Sequence, residues 1–123
     1  MAPELAFLLV DDDATKRFLI AHHLSREFQN ARLVECDSGA AAMSHLEQNK
    51  FHAVVTDNSM SPMNGLELIK WLRTRDSAVP VVMVTGNPDI EPDALEAGAS
   101  AVLSSPRFHE LGQILKGLIP DAV

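Results

Sequence analysis

One cysteine, Cys36, stands in 123 residues, so no internal disulfide can form and a small apolar filler in a reducing compartment is expected there. Basic residues are scarce. The 10 Lys and Arg against 17 Asp and Glu leave a formal net charge of −7, which argues against binding a phosphate backbone as the main task. Lys70, Arg73 and Arg75 are too few to reverse that argument, so no direct nucleic acid binding is expected. No apolar run approaches the roughly 20 residues of a membrane span, and Met1-Ala-Pro-Glu4 lacks the basic start of a leader, so a cytoplasmic protein without membrane contact is expected. The glycines form neither a dinucleotide fingerprint nor a Gly-Lys-Ser/Thr phosphate loop, which leaves nucleotide binding without support. His22, His23, His45, His52 and His109 show no ligand-pair spacing, and nothing suggests a zinc site.

What is present is an alternation of short apolar runs with longer amphipathic stretches, unbroken by linker, repeat or low-complexity tract. Strands are expected at 6–10, 31–36, 53–56, 79–84 and 101–103, and helices at 14–28, 38–48, 65–75, 93–97 and 108–118. Leu8-Leu-Val10 and Val81-Val-Met-Val84 are apolar at successive positions, the mark of strands buried on both faces in a parallel sheet. Five such units predict an α/β fold, a three-layer sandwich with right-handed crossovers, occupying 1–123 as a single domain. Asp37 and Ser38 are candidate caps of the second helix, and Gly65 begins the third after a turn holding Pro62 and Asn64. Trp71 lies off the apolar stripe of Leu68, Ile69 and Leu72 and is expected to cover a sheet edge.

Functional groups of such sheets gather at the carboxyl ends of the strands. Asp11, Asp12 and Asp13 follow the first strand, Asp57 the third, Thr85 the fourth, and Ser104 and Ser105 the fifth. Asp13 reads best as a helix cap. Asp11, Asp12 and Asp57 would repel one another if their strands were neighbours, and a hard, oxygen-seeking divalent ion, Mg²⁺ before others, relieves that repulsion. One carboxylate is then available to attack a phosphoryl group, with a hydroxyl such as that of Thr85 to hold a phosphoryl oxygen.

Four segments occur in order: Leu8-Leu-Val-Asp-Asp-Asp13, Val55-Thr-Asp-Asn-Ser-Met-Ser-Pro-Met-Asn-Gly65, Val82-Met-Val-Thr-Gly86 and Ala97-Gly-Ala-Ser-Ala-Val-Leu-Ser-Ser-Pro106. Together they make nearly the whole chain resemble the receiver domains of two-component response regulators. The resemblance implies a flavodoxin-like five-stranded parallel sheet in the order 2-1-3-4-5, flanked by five helices. It implies Asp57 as the phosphoacceptor, carrying an aspartyl phosphate. Mg²⁺ would be bound by Asp12, Asp57 and the backbone carbonyl of Ser59, with Asp11 assisting through water, and Thr85 would contact the phosphoryl group. The implied partners are a sensor histidine kinase or phosphotransfer protein upstream, and a downstream protein or fused output domain. The chain itself, 1–123, is expected to hold no output domain and to act as a phosphorelay signalling domain, not an enzyme.

Departures from the family pattern are informative. Ser105 stands where receivers usually carry a lysine before the proline, so three carboxylates and one divalent ion are left without a fixed cation; Arg107 and Lys16 are the candidates to reach in, and the sequence places neither. Val102 stands where a switching Tyr or Phe is usual, and the chain has no Tyr. Asn87-Pro-Asp-Ile-Glu-Pro-Asp93 leaves a short fourth helix with Pro92 in its first turn. Ser61, where the family has a proline, is a local turn adjustment. The acid pocket therefore reads as intact and the switch coupling as altered. Two alternatives compete. A pseudo-receiver would act as an interaction module independent of phosphorylation. A haloacid dehalogenase-like phosphatase would use Asp11-Asp-Asp-Ala-Thr15, but after Gly86 the only lysine is Lys116 and no later acid pair follows a strand.

Overall fold

The computed structural model describes residues 4–119; Met1 to Pro3 and the last four residues of Gly117-Leu-Ile-Pro-Asp-Ala-Val123 lie outside them. Strands β1 (Ala6–Val10), β2 (Arg32–Cys36), β3 (Ala53–Thr56), β4 (Val81–Thr85) and β5 (Ala101–Ser104) form one parallel sheet in the order β2-β1-β3-β4-β5. Helices α1 (Ala14–Glu27), α2 (Gly39–Gln48), α3 (Gly65–Arg75) and α4 (Glu91–Ala97) make the crossovers, and α5 (Leu111–Leu118) follows the last strand. Every residue of β1 and of β4 is buried, as expected for central strands covered on both sides.

The two faces of the sheet carry separate cores. Phe7, Leu9, Val55, Val82 and Val84 pack beneath α1 and α5 with Ile20, Leu24, Leu111 and Leu115. Leu8, Val10, Val54, Val81 and Met83 pack beneath α2, α3 and α4 with Ala42, Leu68, Ile69, Leu72 and Ala94. Phe7 meets Phe28 edge to face at 5.0 Å between ring centroids, closing the base of the first core. Cys36 is buried, and loss of solvation pushes its thiol up to about 11. Trp71 is half-buried against the second core, with the Arg75 guanidinium 5.0 Å from its ring centre.

Local chemistry sets the ends. Asp13 Oδ1 accepts from the Thr15 and Lys16 backbone N–H groups at 3.0 and 3.1 Å, which starts α1 immediately after β1. Ser38, and not Asp37, caps α2 by accepting from Ala41 N–H at 3.1 Å. Asn64 and Glu67 form a reciprocal capping box at α3. β2 begins at 32 and not 31 because Ala31 N–H closes a turn onto the Phe28 carbonyl. β4 begins at 81 and not 79 because Asp76 takes the Val79 N–H and Pro80 has none. The last helix, expected from 108, begins at Leu111; Ser105–Glu110 is a 3-10 segment containing Pro106 and broken by non-helical Arg107 at φ −101°, ψ 22°. A second 3-10 turn, Pro88–Ile90, precedes α4, which is seven residues long with Pro92 in its first turn.

Candidate functional site

Because β1 and β3 are neighbours, their carboxyl ends deliver Asp11, Asp12 and Asp57 to one place. A carboxylate oxygen from each lies within 4.8 Å of the others. Asp11 and Asp57 are 3% and 9% exposed, whereas Asp12 faces solvent. Asp11 Oδ1 accepts the Asp13 N–H at 2.9 Å, and its buried Oδ2 has the Lys16 ammonium at 3.3 Å as its polar neighbour. Burial is the largest influence on the Asp11 carboxyl and raises its pKa above the ordinary range. The Asp57 charge pushes the same way, against the Asp13 N–H and the Lys16 ammonium.

The loop after β3 is closed tightly behind Asp57. Asp57 Oδ1 accepts the Asn58 N–H at 2.7 Å, the Asn58 carbonyl accepts from Gly65 N–H at 3.1 Å, and Asn58 Oδ1 accepts from Leu66 N–H at 3.1 Å. A methyl group on Gly65 would stand 2.3 Å from the Asp57 carbonyl oxygen, so glycine is required by this close approach. Ser59 lies in the exposed part of the loop, followed by a cis Ser61-Pro62 peptide.

The other flank is formed by the ends of β4 and β5. Thr85 is buried beside this edge, and its Oγ1 accepts the Asn87 N–H at 3.1 Å. Ser105 is half-buried at the start of the 3-10 segment. Val102 pairs with Met83 across the sheet and packs, half-buried, against the α2, α3 and α4 side. Arg107 is turned away. Its side chain is 62% exposed and bound through Nε and Nη2 to Glu110 Oε2 and Oε1 at 2.6 and 2.8 Å, and that hydrogen bonding holds the Glu110 carboxyl below its ordinary pKa.

The expectation that the acids face no fixed cation is corrected. Lys16, in the first turn of α1, brings Nζ to 3.3 Å from Asp11 Oδ2 and 3.3 Å from Asp57 Oδ1 while donating to the Val84 carbonyl at 2.7 Å. Sequence reasoning named Lys16 as one of two candidates without placing it and missed Arg17, which donates to the Asp11 carbonyl and pairs with Glu35 Oε1 at 3.1 Å, tying the ends of β1 and β2 to α1. The available signal for both was basic residues one turn beyond an acid run. The histidines belong to no metal-ligating cluster among the described residues, and His52 Nδ1 instead accepts the Ala6 N–H at 3.0 Å.

The sequence profile of the response regulator receiver domain matches residues 7–116. The chain belongs to that family. Among curated relatives, the chemotaxis protein CheY-3 of Vibrio cholerae is 31% identical over 106 residues, covering 83% of this chain and 81% of that protein. CheY1 of Helicobacter pylori is 34% identical over 108 residues, 83% of this chain and 86% of that one. In three dimensions this receiver is similar to the receiver domain of a Pseudomonas aeruginosa sensor histidine kinase solved with a magnesium ion in its active-site cleft. That likeness has a TM-score of 0.86 at 23% identity, over 96% of this chain and 99% of that one. The Thermotoga maritima response regulator TrrA, solved with Mg²⁺ and BeF, gives a TM-score of 0.84 at 22% identity, over 93% and 98%. The fold is thus the CheY-like, flavodoxin-like one. This receiver is a two-component signalling domain, a phosphoacceptor type and not a catalytic enzyme, and its family implies a histidine kinase as partner. No described helix is long and apolar enough to cross a membrane.

Proposed function

We propose that Asp57 accepts a phosphoryl group from a sensor histidine kinase or phosphotransfer protein in the cytoplasm, and that the modified domain signals through protein contacts to a downstream protein or fused output domain. The observation that carries this reading is the convergence of Asp11, Asp12 and Asp57, with a carboxylate oxygen of each within 4.8 Å of the others and the Lys16 ammonium as the one cation paired with them among the described residues. Three carboxylates against one ammonium leave an excess of negative charge at this edge, and an oxygen-coordinated divalent cation with its waters is the group that relieves it. The donor set fits Mg²⁺, with Asp12, Asp57 and the Ser59 carbonyl as ligands and Asp11 acting through water. When bound, the ion supplies charge neutralisation on the attacked phosphate. Asp57, held by the Asn58 N–H, presents its remaining oxygen as the nucleophile. Thr85, whose Oγ1 already accepts one bond, is left with a hydroxyl hydrogen to donate to a phosphoryl oxygen.

Incubation with Mg²⁺ and acetyl phosphate is expected to add one phosphoryl group by intact mass, with none on Asp57→Asn. Failure to label under conditions that label an ordinary receiver would overturn the reading. A phosphorylation-independent interaction module is the second reading, favoured by Val102 and Ser105, and it predicts equal partner affinity with and without phosphodonor.

A further inference from the structure

We infer that Lys16 is the cation that stabilises the phosphoryl group on Asp57, delivered from the first helix and not from the loop after β5. This rests on the phosphoacceptor reading of Asp57. Lys16 Nζ is 3.3 Å from Asp57 Oδ1, and the side chain is only 14% exposed. Among the described residues, no other cation makes an ion pair with Asp57 or Asp11 side-chain oxygens. Arg107 is engaged by Glu110 at the surface, and Arg17 is occupied by the Asp11 carbonyl and Glu35. Ser105, short and neutral, supplies no charge.

The placement is built by two anchors at opposite ends of the residue. The backbone N–H of Lys16 is bound by the Asp13 cap, which fixes the rotation of α1, and its ammonium is bound by the Val84 carbonyl, next to Thr85. A lysine has three donors, so Nζ can keep the Val84 bond and turn another N–H toward a phosphoryl oxygen on Asp57. In the transfer, the Asp57 carboxylate oxygen forms the new O–P bond. The bond from phosphorus to the donor oxygen of acetyl phosphate breaks, and acetate leaves with that electron pair. The total charge of the reactants is conserved, but the charge held in the pocket becomes more negative by one, because a singly charged carboxylate becomes a doubly charged acyl phosphate. A fixed ammonium at this distance, shielded from water, offsets that added charge. Because Lys16 is rooted in α1, the pull of the phosphoryl group falls on that helix.

Mg²⁺ alone and the phosphoryl mimic beryllofluoride with Mg²⁺ are the probes, measured by calorimetry on the intact chain. For Lys16→Met, beryllofluoride affinity is expected to fall about tenfold or more, because a buried charge-assisted contact is lost. Mg²⁺ affinity without the mimic stays equal or tightens, because a competing cation has left the acids. Lys16→Gln, which retains a donor for the Val84 carbonyl without the charge, should lose beryllofluoride affinity to a similar degree. Adding Ser105→Lys to Lys16→Met should restore it, and Arg107→Ala should change neither affinity. The inference is overturned if Lys16→Met binds beryllofluoride as the parent does, if Mg²⁺ and beryllofluoride affinities fall together, if Lys16→Gln is unimpaired, or if Arg107→Ala gives the loss. If the parent chain neither binds beryllofluoride nor takes up phosphoryl, the phosphoacceptor reading itself falls and takes this assignment with it.

Discussion

At the β1 and β3 side of the pocket, the acids are tied to everything around them. Asp11 is held by the Asp13 N–H and Lys16, Asp57 by Asn58 and Lys16, and the loop behind Asp57 is closed onto α3 at Gly65 with no room for a methyl group. At the β4 and β5 side the connections are looser. A methyl on Gly86 would meet nothing within 4 Å, Ser104 makes no capping hydrogen bond, and Arg107 points outward to Glu110. The first side has the parts for taking up a phosphoryl group. The second, where receivers usually place their lysine and switching aromatic, has kept only Thr85. On the proposed reading, the acceptor geometry is kept while Ser105 and Val102 stand where receivers usually carry the residues that broadcast its state.

The largest effect expected from that contrast is complete loss of phosphoryl uptake in Asp57→Asn, read by intact mass. Next is Gly65→Ala. Helix propensity favours alanine by about 1 kcal/mol, but the methyl would sit 2.3 Å from the Asp57 carbonyl oxygen. Backbone has to move, and we expect a net loss of roughly 1–3 kcal/mol in chemical denaturation together with slower labelling. Gly86→Ala, one residue beyond Thr85, should leave both unchanged, and equal damage from the two alanines would erase the distinction between the sides.

Smaller effects lie outside the pocket. With its thiol pushed up to about 11 by burial, Cys36 should resist alkylation near pH 8 until the protein is unfolded. Asp76, just past the end of α3, accepts from Ala78 and Val79 N–H groups at 2.8 and 3.0 Å, and these bonds hold its carboxyl below the ordinary 3.8. A carboxyl lowered by folding contributes stability that is present above pH 3.8 and fades as pH falls through the lowered value. Asp76→Asn should cost less than about 1 kcal/mol at neutral pH, since the group is exposed, and the difference should close in acid.

A parallel sheet and acids at the ends of its first and third strands were legible from local pattern, through the continuous apolar runs Leu8-Leu-Val10 and Val81-Val-Met-Val84, whereas the strand order that brings those acids together was legible only through the resemblance to receiver domains. The bounds of β1, β3 and α3 follow from the same signals. Boundaries slipped where Asp76 takes the Val79 N–H ahead of β4, and where Pro106 and the non-helical backbone of Arg107 interrupt the chain before α5. Lys16 was not legible for a different reason. Whether a side chain in the first turn of a helix reaches a neighbouring strand depends on helix rotation, and here that is set jointly by the Asp13 cap and the Val84 carbonyl, 68 residues further on.

The central claim is that phosphoryl binding is felt through α1 and weakly through β5 and α5. Backbone amide chemical shifts, recorded with Mg²⁺ before and after beryllofluoride is added, test it most directly. The account predicts the largest changes at Asp57, Asn58, Thr85 and the first two turns of α1, with small ones through Val102 and Leu111–Leu118. Large changes through Val102 and the last helix, with α1 silent, would contradict it.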